Sequence, residues 1–275
     1  MSAASPRLSL PFRVGRALAI HELRERTRDR WVLVISLLFA LLASAVGLYG
    51  RSAEGNAAAI TGPSLVTLAS LFVPLVALAL GYDAIVGERE RNTLGLLLSL
   101  PVSRLEVIVA KFVGRGLALA LSVALGLGAA MLAAGPGESR TLALLIAPTI
   151  KLGLAFVAIG MLVSTLARRQ STAASLVIAT WFLLVFFYDL GLLGLLVATD
   201  GAVSQGTITA LVAGSPAGLY RIELMSALSG PDALADLGLE TPLPGAAARA
   251  AIWAAWIAGP VALSGLVLSL GKADR

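Results

Sequence analysis

The sequence predicts an all-α integral membrane protein that crosses the bilayer six times. Hydrophobic residues fill 58% of the 275 positions, charged residues 13%, and mean hydropathy is +0.90. An ordinary soluble domain is about a quarter charged, so composition alone excludes one. Six apolar runs, at 31–49, 65–86, 113–134, 142–166, 172–199 and 250–270, each approach the roughly 20 residues that cross a hydrocarbon core. Lipid offers the backbone no hydrogen bonds, so each run is expected as a helix. The third observation is where the cations fall. Sixteen Lys and Arg lie on one side of these runs and four (Arg51, Arg140, Arg221, Arg249) on the other, with Lys151 inside a span. Positive charge is retained in the cytoplasm, which places both termini and the 87–111 loop there. The same bias accounts for the pI near 10.1 without nucleic acid.

Residues 1–30 hold seven arginines and form a cytoplasmic or interfacial segment. Over 12–30 a helix lying on the surface is expected, with Glu22 four residues before Arg26, although its apolar residues do not fall on one stripe. The first span, 31–49, follows too long a leader to resemble a cleaved signal, and is expected to stay as an anchor. In the second span Pro74 and Gly81 are candidate bends, and Asp83 sits one turn before the exit, where local pairing with an arginine is the simplest expectation.

The loop that follows, 87–111, is the densest charged patch between any two spans. Glu88, Arg89, Glu90 and Arg91 alternate in sign, then an apolar septet from Leu94 to Leu100 is stopped by Pro101. Asn92 or Thr93 can cap the septet, and Ser103 with Glu106 reads as a capping box that opens a new helix at Arg104. A short helix held between two sharp breaks on one face of a membrane is a surface shaped to be gripped. The third span, 113–134, carries Gly114, Gly116, Gly126 and Gly128, which permit close helix approach. A tight turn is expected over 135–141.

Lys151 in the fourth span and Asp189 in the fifth both lie roughly 14 Å below the outer ends of their apolar runs. Charges at that depth are costly unless paired or wet, so the two are expected to form an ion pair or share a polar cavity. Residues 200–249 form the outer loop. Ser215 and Pro216 signal a helix start, and Leu219, Ile222, Met225 and Leu228 recur every three residues before Gly230-Pro231. An amphipathic helix at, or dipping into, the outer leaflet is expected, followed by acidic Asp232, Asp236 and Glu240, a solvated loop or a docking surface. The sixth span, 250–270, ends in a cytoplasmic tail, 271–275.

Several chemistries are missing. No G-x-x-x-x-G-K-[ST] loop is present, so any ATP work belongs to another chain. The lone His21, the absence of cysteine and four dispersed methionines supply no catalytic dyad, no zinc site and no copper ladder, so no catalytic or metal residues are assigned.

Within the charged loop the order Glu88, Glu90, Thr93, Leu94, Leu97, Leu98, Pro101, Ser103, Arg104, Lys111, Phe112 resembles the cytoplasmic loop of ABC-2-type transporter permeases. Within that family the Gly-Glu-Arg-Glu-Arg run and Pro216, Tyr220 and Arg221 are most similar to the permease of the nitrous-oxide-reductase maturation transporter. The resemblance implies an ABC-2 (type V) exporter-like fold in a bacterial inner membrane. It makes 1–30 an elbow segment and 31–270 the transmembrane domain. The short helix becomes a coupling helix seated in a groove of a separate ATPase, which would hold ATP and magnesium. On that reading Glu88, Arg89, Glu90 and Arg91 set register, Leu94, Leu97 and Leu98 fill the groove, and Thr93, Pro101 and Arg104 belong to the same coupling surface. Pro216, Leu219, Tyr220, Arg221, Ile222 and Met225 belong to an outer helix that closes a gate or meets a periplasmic partner.

The resulting expectation is a homodimeric permease carrying two ATPase subunits and serving maturation of the copper sites of nitrous-oxide reductase. The alternatives are a membrane scaffold transmitting force to a periplasmic partner, or an ATP-independent carrier or channel.

Overall fold

The computed structural model describes residues 15, 17–24, 36, 37, 39–41, 44, 57–99, 102–133, 136–229 and 244–270. Most of the first expected span, Pro101, the acids Asp232, Asp236 and Glu240, and the 271–275 tail lie outside them. From residue 57 onward the described chain is helical: α1 Ala57–Gly81, α2 Val86–Glu90, α3 Leu94–Leu98, α4 Arg104–Ala133 and α5 Pro136–Leu166. There follow α6 Gln170–Trp181, a six-residue π-helix Phe182–Phe187, α7 Tyr188–Ala198, α8 Gln205–Gly214, α9 Pro216–Ser229 and α10 Ala246–Leu270. Five stretches, Pro63–Glu90, Arg104–Leu132, Ser139–Leu166, Gln170–Ala198 and Ala246–Leu270, are long and apolar enough to cross a membrane. They coincide with the second to sixth expected spans.

One helix start falls where expected and one does not. α4 runs unbroken from Arg104 because its capping box forms: Ser103 N–H donates to Glu106 Oε2 at 2.7 Å, and Glu106 N–H donates to Ser103 Oγ at 3.2 Å. α5 begins at Pro136, inside the stretch read as a turn. Proline is suited to a first helical position, where its missing N–H costs nothing.

α5 is the axis of the bundle and packs against α1, α4 and α10. Its Leu152, Ala155, Phe156, Val157, Ala158 and Met161 are buried, in one core with Val73, Ala77 and Leu78 of α1 and Leu119 and Val123 of α4. With little hydrophobic drive in lipid, such contact depends on close packing and small residues. Gly81 and Gly160 show how close the approach is. A Cβ on Gly160 would lie 2.9 Å from the Leu78 carbonyl oxygen, and one on Gly81 would lie 2.7 Å from that of Val157.

At the other extreme, the α6–α7 span is exposed along most of its length, presenting Leu183, Phe186, Phe187, Leu190 and Leu193 outward. Its π-helix widens one turn and so resets which side chains beyond it face the bundle. α8 and α9 form a hairpin whose second helix enters the bundle. Pro216, Ala217, Leu219, Tyr220, Ile222 and Leu224 are buried, and the Tyr220 and Thr149 hydroxyls are 3.1 Å apart. The expected amphipathic helix is therefore packed against α1 and α5.

Candidate functional site

The end of the bundle that carries the charged loop is built from local anchors. α1 stops at Gly81, and the next turn is held by Ser164 of α5, whose hydroxyl oxygen accepts from the N–H groups of Ile85 and Val86 at 2.9 and 3.1 Å. α2 is then tied down on both sides. Arg89 donates to the Ala167 carbonyl, and Glu90 Oε1 accepts from Gln170 N–H at 2.7 Å, placing a carboxylate on the N-terminus of α6. On the far side of the loop Arg104 Nη1 donates to the carbonyls of Leu268 and Ser269, closing the last turn of α10. Three of the charges read as ATPase contacts, Arg89, Glu90 and Arg104, are thus engaged within the chain.

Beneath the loop lies a buried ion network. Lys111 and Arg115 stand one turn apart on α4, on one face. Lys111 Nζ reaches Glu22 Oε2 and Glu88 Oε1, both at 3.1 Å, while Arg115 reaches Glu22 Oε1 at 2.9 Å and Asp83 Oδ1 at 2.6 Å. Arg115 also donates to the Leu80 carbonyl. Lys111, Arg115 and Glu22 are 4%, 1% and 5% exposed. Two cations thereby join three acids from the amino-terminal helix, the turn after α1, and α2. Gly114, between the cations, lets that amino-terminal helix come close: a Cβ there would meet Glu22 and Ala19. Asp83 pairs with an arginine as expected. Glu22 and Lys111 were named in the sequence but not as partners, and Arg115 and Ser164 carried no site reading, although two cations four apart at the head of an apolar helix are a visible signal.

α3 stands clear of this network. Asn92 adopts φ +58°, the left-handed turn that asparagine tolerates, and reverses the chain between α2 and α3. Thr93 occupies the N-cap position but makes no side-chain cap. Its hydroxyl turns back to the Glu88 carboxylate, which also faces Arg91 Nη2 at 3.6 Å. The expected capping by Asn92 or Thr93 is therefore corrected: the nearby carboxylate is the stronger acceptor partner. The leucines of α3 divide between two faces. Leu94 and Leu98 pack back on the protein's own core, Leu97 is half-buried, and Leu96 is 73% exposed. With Gly95 and Ser99 also exposed, Leu96 and the half-open Arg91 form the outward face.

At the opposite end the expected Lys151–Asp189 pair does not form. Lys151 Nζ bonds Glu223 Oε2 at 3.1 Å, and Arg221 Nη2 bonds both oxygens of Asp189 at 2.6 and 2.7 Å. Both counter-charges come from α9, which enters the bundle and brings them to the depth of Lys151 and Asp189. Glu223 further accepts from Arg249 Nε at 3.1 Å and Trp253 Nε1 at 3.2 Å. Met225 is half-buried beside the pair on the same helix, next to Ile222. Among the described residues no three His, Cys, Asp or Glu side chains gather as metal ligands.

A family model described as ABC-2 family transporter protein matches residues 16–275. The chain belongs to the ABC-2 transporter family. It is 39% identical over 245 residues to a protein of Stutzerimonas stutzeri named probable ABC transporter permease protein NosY, covering 83% of this chain and 88% of that one. A protein of the same name from Pseudomonas aeruginosa is 37% identical over 262 residues, covering 90% and 94%. The present chain is thus a multi-pass membrane permease subunit similar to NosY, and the permease's charged loop lies inside the matched region.

Proposed function

We propose that the permease couples ATP hydrolysis in a separate ATPase subunit to transport or conformational work across a bacterial inner membrane, and that α3 is where the ATPase docks. The observation that carries this reading is the contrast around α3. The loop charges on either side are engaged within the chain, while a five-residue helix presents Leu96 outward at 73% exposure. An exposed apolar anchor on a braced support is the arrangement that concentrates binding energy. Arg91, whose side chain is 57% exposed, adds a charge beside it for register.

A push on α3 would pass through Thr93 and Glu88 to Lys111, and from there to α4 and the amino-terminal helix. Two ATPase subunits on a homodimer follow from the same reading, with both termini cytoplasmic and ATP and magnesium held by the ATPase. The likeness to NosY supports a role in maturing the copper sites of nitrous-oxide reductase, with the far-end loop offered to a periplasmic partner.

The test is co-purification. Leu96→Asp with Leu97→Asp is expected to leave the permease inserted, with an unchanged melting temperature, and to release the ATPase. Undiminished recovery of the ATPase with that variant would sink the assignment of α3.

A further inference from the structure

The two ion clusters on α9 differ in one respect. Glu223 is saturated, with Lys151, Arg249 and Trp253 all donating to its two oxygens. The Asp189–Arg221 pair is not. Arg221 spends a single nitrogen, Nη2, on both carboxylate oxygens, so Nη1 and Nε make no hydrogen bond to the described residues. Asp189 accepts from that nitrogen alone and keeps acceptor capacity. The side chains of Arg221 and Asp189 are 32% and 38% exposed, and both line an open groove of about 460 Å³.

Its walls are otherwise apolar: Leu192, Leu193, Leu196, Val212, Ile222 and Met225, with Thr67 the other polar side chain. The Thr67 hydroxyl is already given to the Pro63 carbonyl. Free guanidinium donors and a half-used carboxylate on an apolar-walled groove are suited to a polar occupant.

The geometry restricts that occupant. A bare anion would draw Arg221 away and strand Asp189; a bare cation would do the reverse. An occupant carrying an oxyanion and an ammonium satisfies both ends and leaves neither charge without a partner. The surface leading away from the groove is greasy, with Leu193 57% exposed and Leu190 and Val197 alongside it at 47% and 69%. That flank suits an acyl chain. We propose that the groove between α7, α8 and α9 holds the head of an aminophospholipid, its phosphate on Arg221 and its ammonium on Asp189. The site is independent of ATPase docking and goes beyond the function proposed above.

Native mass spectrometry of the detergent-purified permease, titrated with phosphatidylethanolamine, phosphatidylcholine or phosphatidylglycerol, tests it. Phosphatidylethanolamine is expected to bind about tenfold more tightly than either of the others, the scale of one charge-assisted hydrogen bond. Phosphatidylcholine lacks the N–H donors and phosphatidylglycerol the cation. Asp189→Asn and Arg221→Gln are expected to reduce the preference below about twofold, on the same scale. Leu196→Trp, which narrows the groove beside the ion pair and leaves the pair's own side chains in place, is expected to abolish the preference in a normally folded protein. Equal binding of the three lipids, or a preference that survives Leu196→Trp, would overturn the proposal. Soluble phosphoethanolamine competing at the lipid's own concentration would overturn the lipid assignment.

Discussion

Lys111 is the residue on which most of the charged end depends. It is 4% exposed and touches two carboxylates from segments far apart in sequence, Glu22 and Glu88. Removing one partner of a buried ion pair leaves an uncompensated charge, a loss of about 3–5 kcal/mol. Lys111→Met is therefore expected to lower the thermal midpoint in detergent well beyond the effect of Arg91→Ala, whose side chain is 57% exposed. Comparable shifts for the two variants would contradict a structural role for Lys111. Residues also show what was legible in the sequence and why. The Ser103–Glu106 box is a three-residue signal, and it formed as read. Glu22 and Lys111 are 89 residues apart, and no local pattern joins them. Lys151 and Asp189 were rightly seen as needing partners, but Arg221 was counted as an outer-side charge and Glu223 was not singled out, and only the fold brings them inward.

Among the elements, α3 and α9 were the least readable. The apolar run from Leu94 could not say which leucine faces out, because α3 is too short for periodicity to assign its faces. The structure turns Leu94 and Leu98 inward and Leu96 outward. α9 was legible as a helix with a proper start, since the Ser215 hydroxyl accepts from Gly218 N–H at 3.2 Å, but not as a buried one. Its three-residue apolar recurrence fits a surface helix as well as a helix wedged against α1 and α5. The α1–α5 seam gives the sharpest expectation at this scale. A side chain on Gly160 would strike backbone rather than a flexible tip, so the helices would have to separate. Gly160→Leu is expected to destabilise by at least the 1–3 kcal/mol typical of overpacking, and to reduce folded yield on size-exclusion chromatography. Gly128, with nothing near its Cβ position, should accept the same change with little loss.

The whole molecule presents two unlike faces. Around α5 the helices are tightly packed, whereas the α6–α7 span leaves a ridge of Leu183, Phe186 and Phe187 uncovered. If the permease is a homodimer, this ridge is its natural seam. The chain has no cysteine, so Leu183→Cys and Phe187→Cys can be introduced singly without background. Oxidative cross-linking in native membranes is expected to give a covalent dimer from one or both, and none from Leu117→Cys on α4, which is exposed at 49% elsewhere on the bundle. Dimers from Leu117→Cys alone would move the seam to α4.

The claim at the centre of this account is that α3 meets the ATPase, and proximity labelling tests it most directly. Leu96→Cys, carrying a maleimide photo-cross-linker, would be compared with Leu132→Cys, 91% exposed near the far end of α4. In membranes containing the intact complex, light should join the ATPase to the permease through position 96 and leave position 132 unlinked. An ATPase that cross-links from 132, or a complex that stays whole with no adduct at 96, would contradict the account.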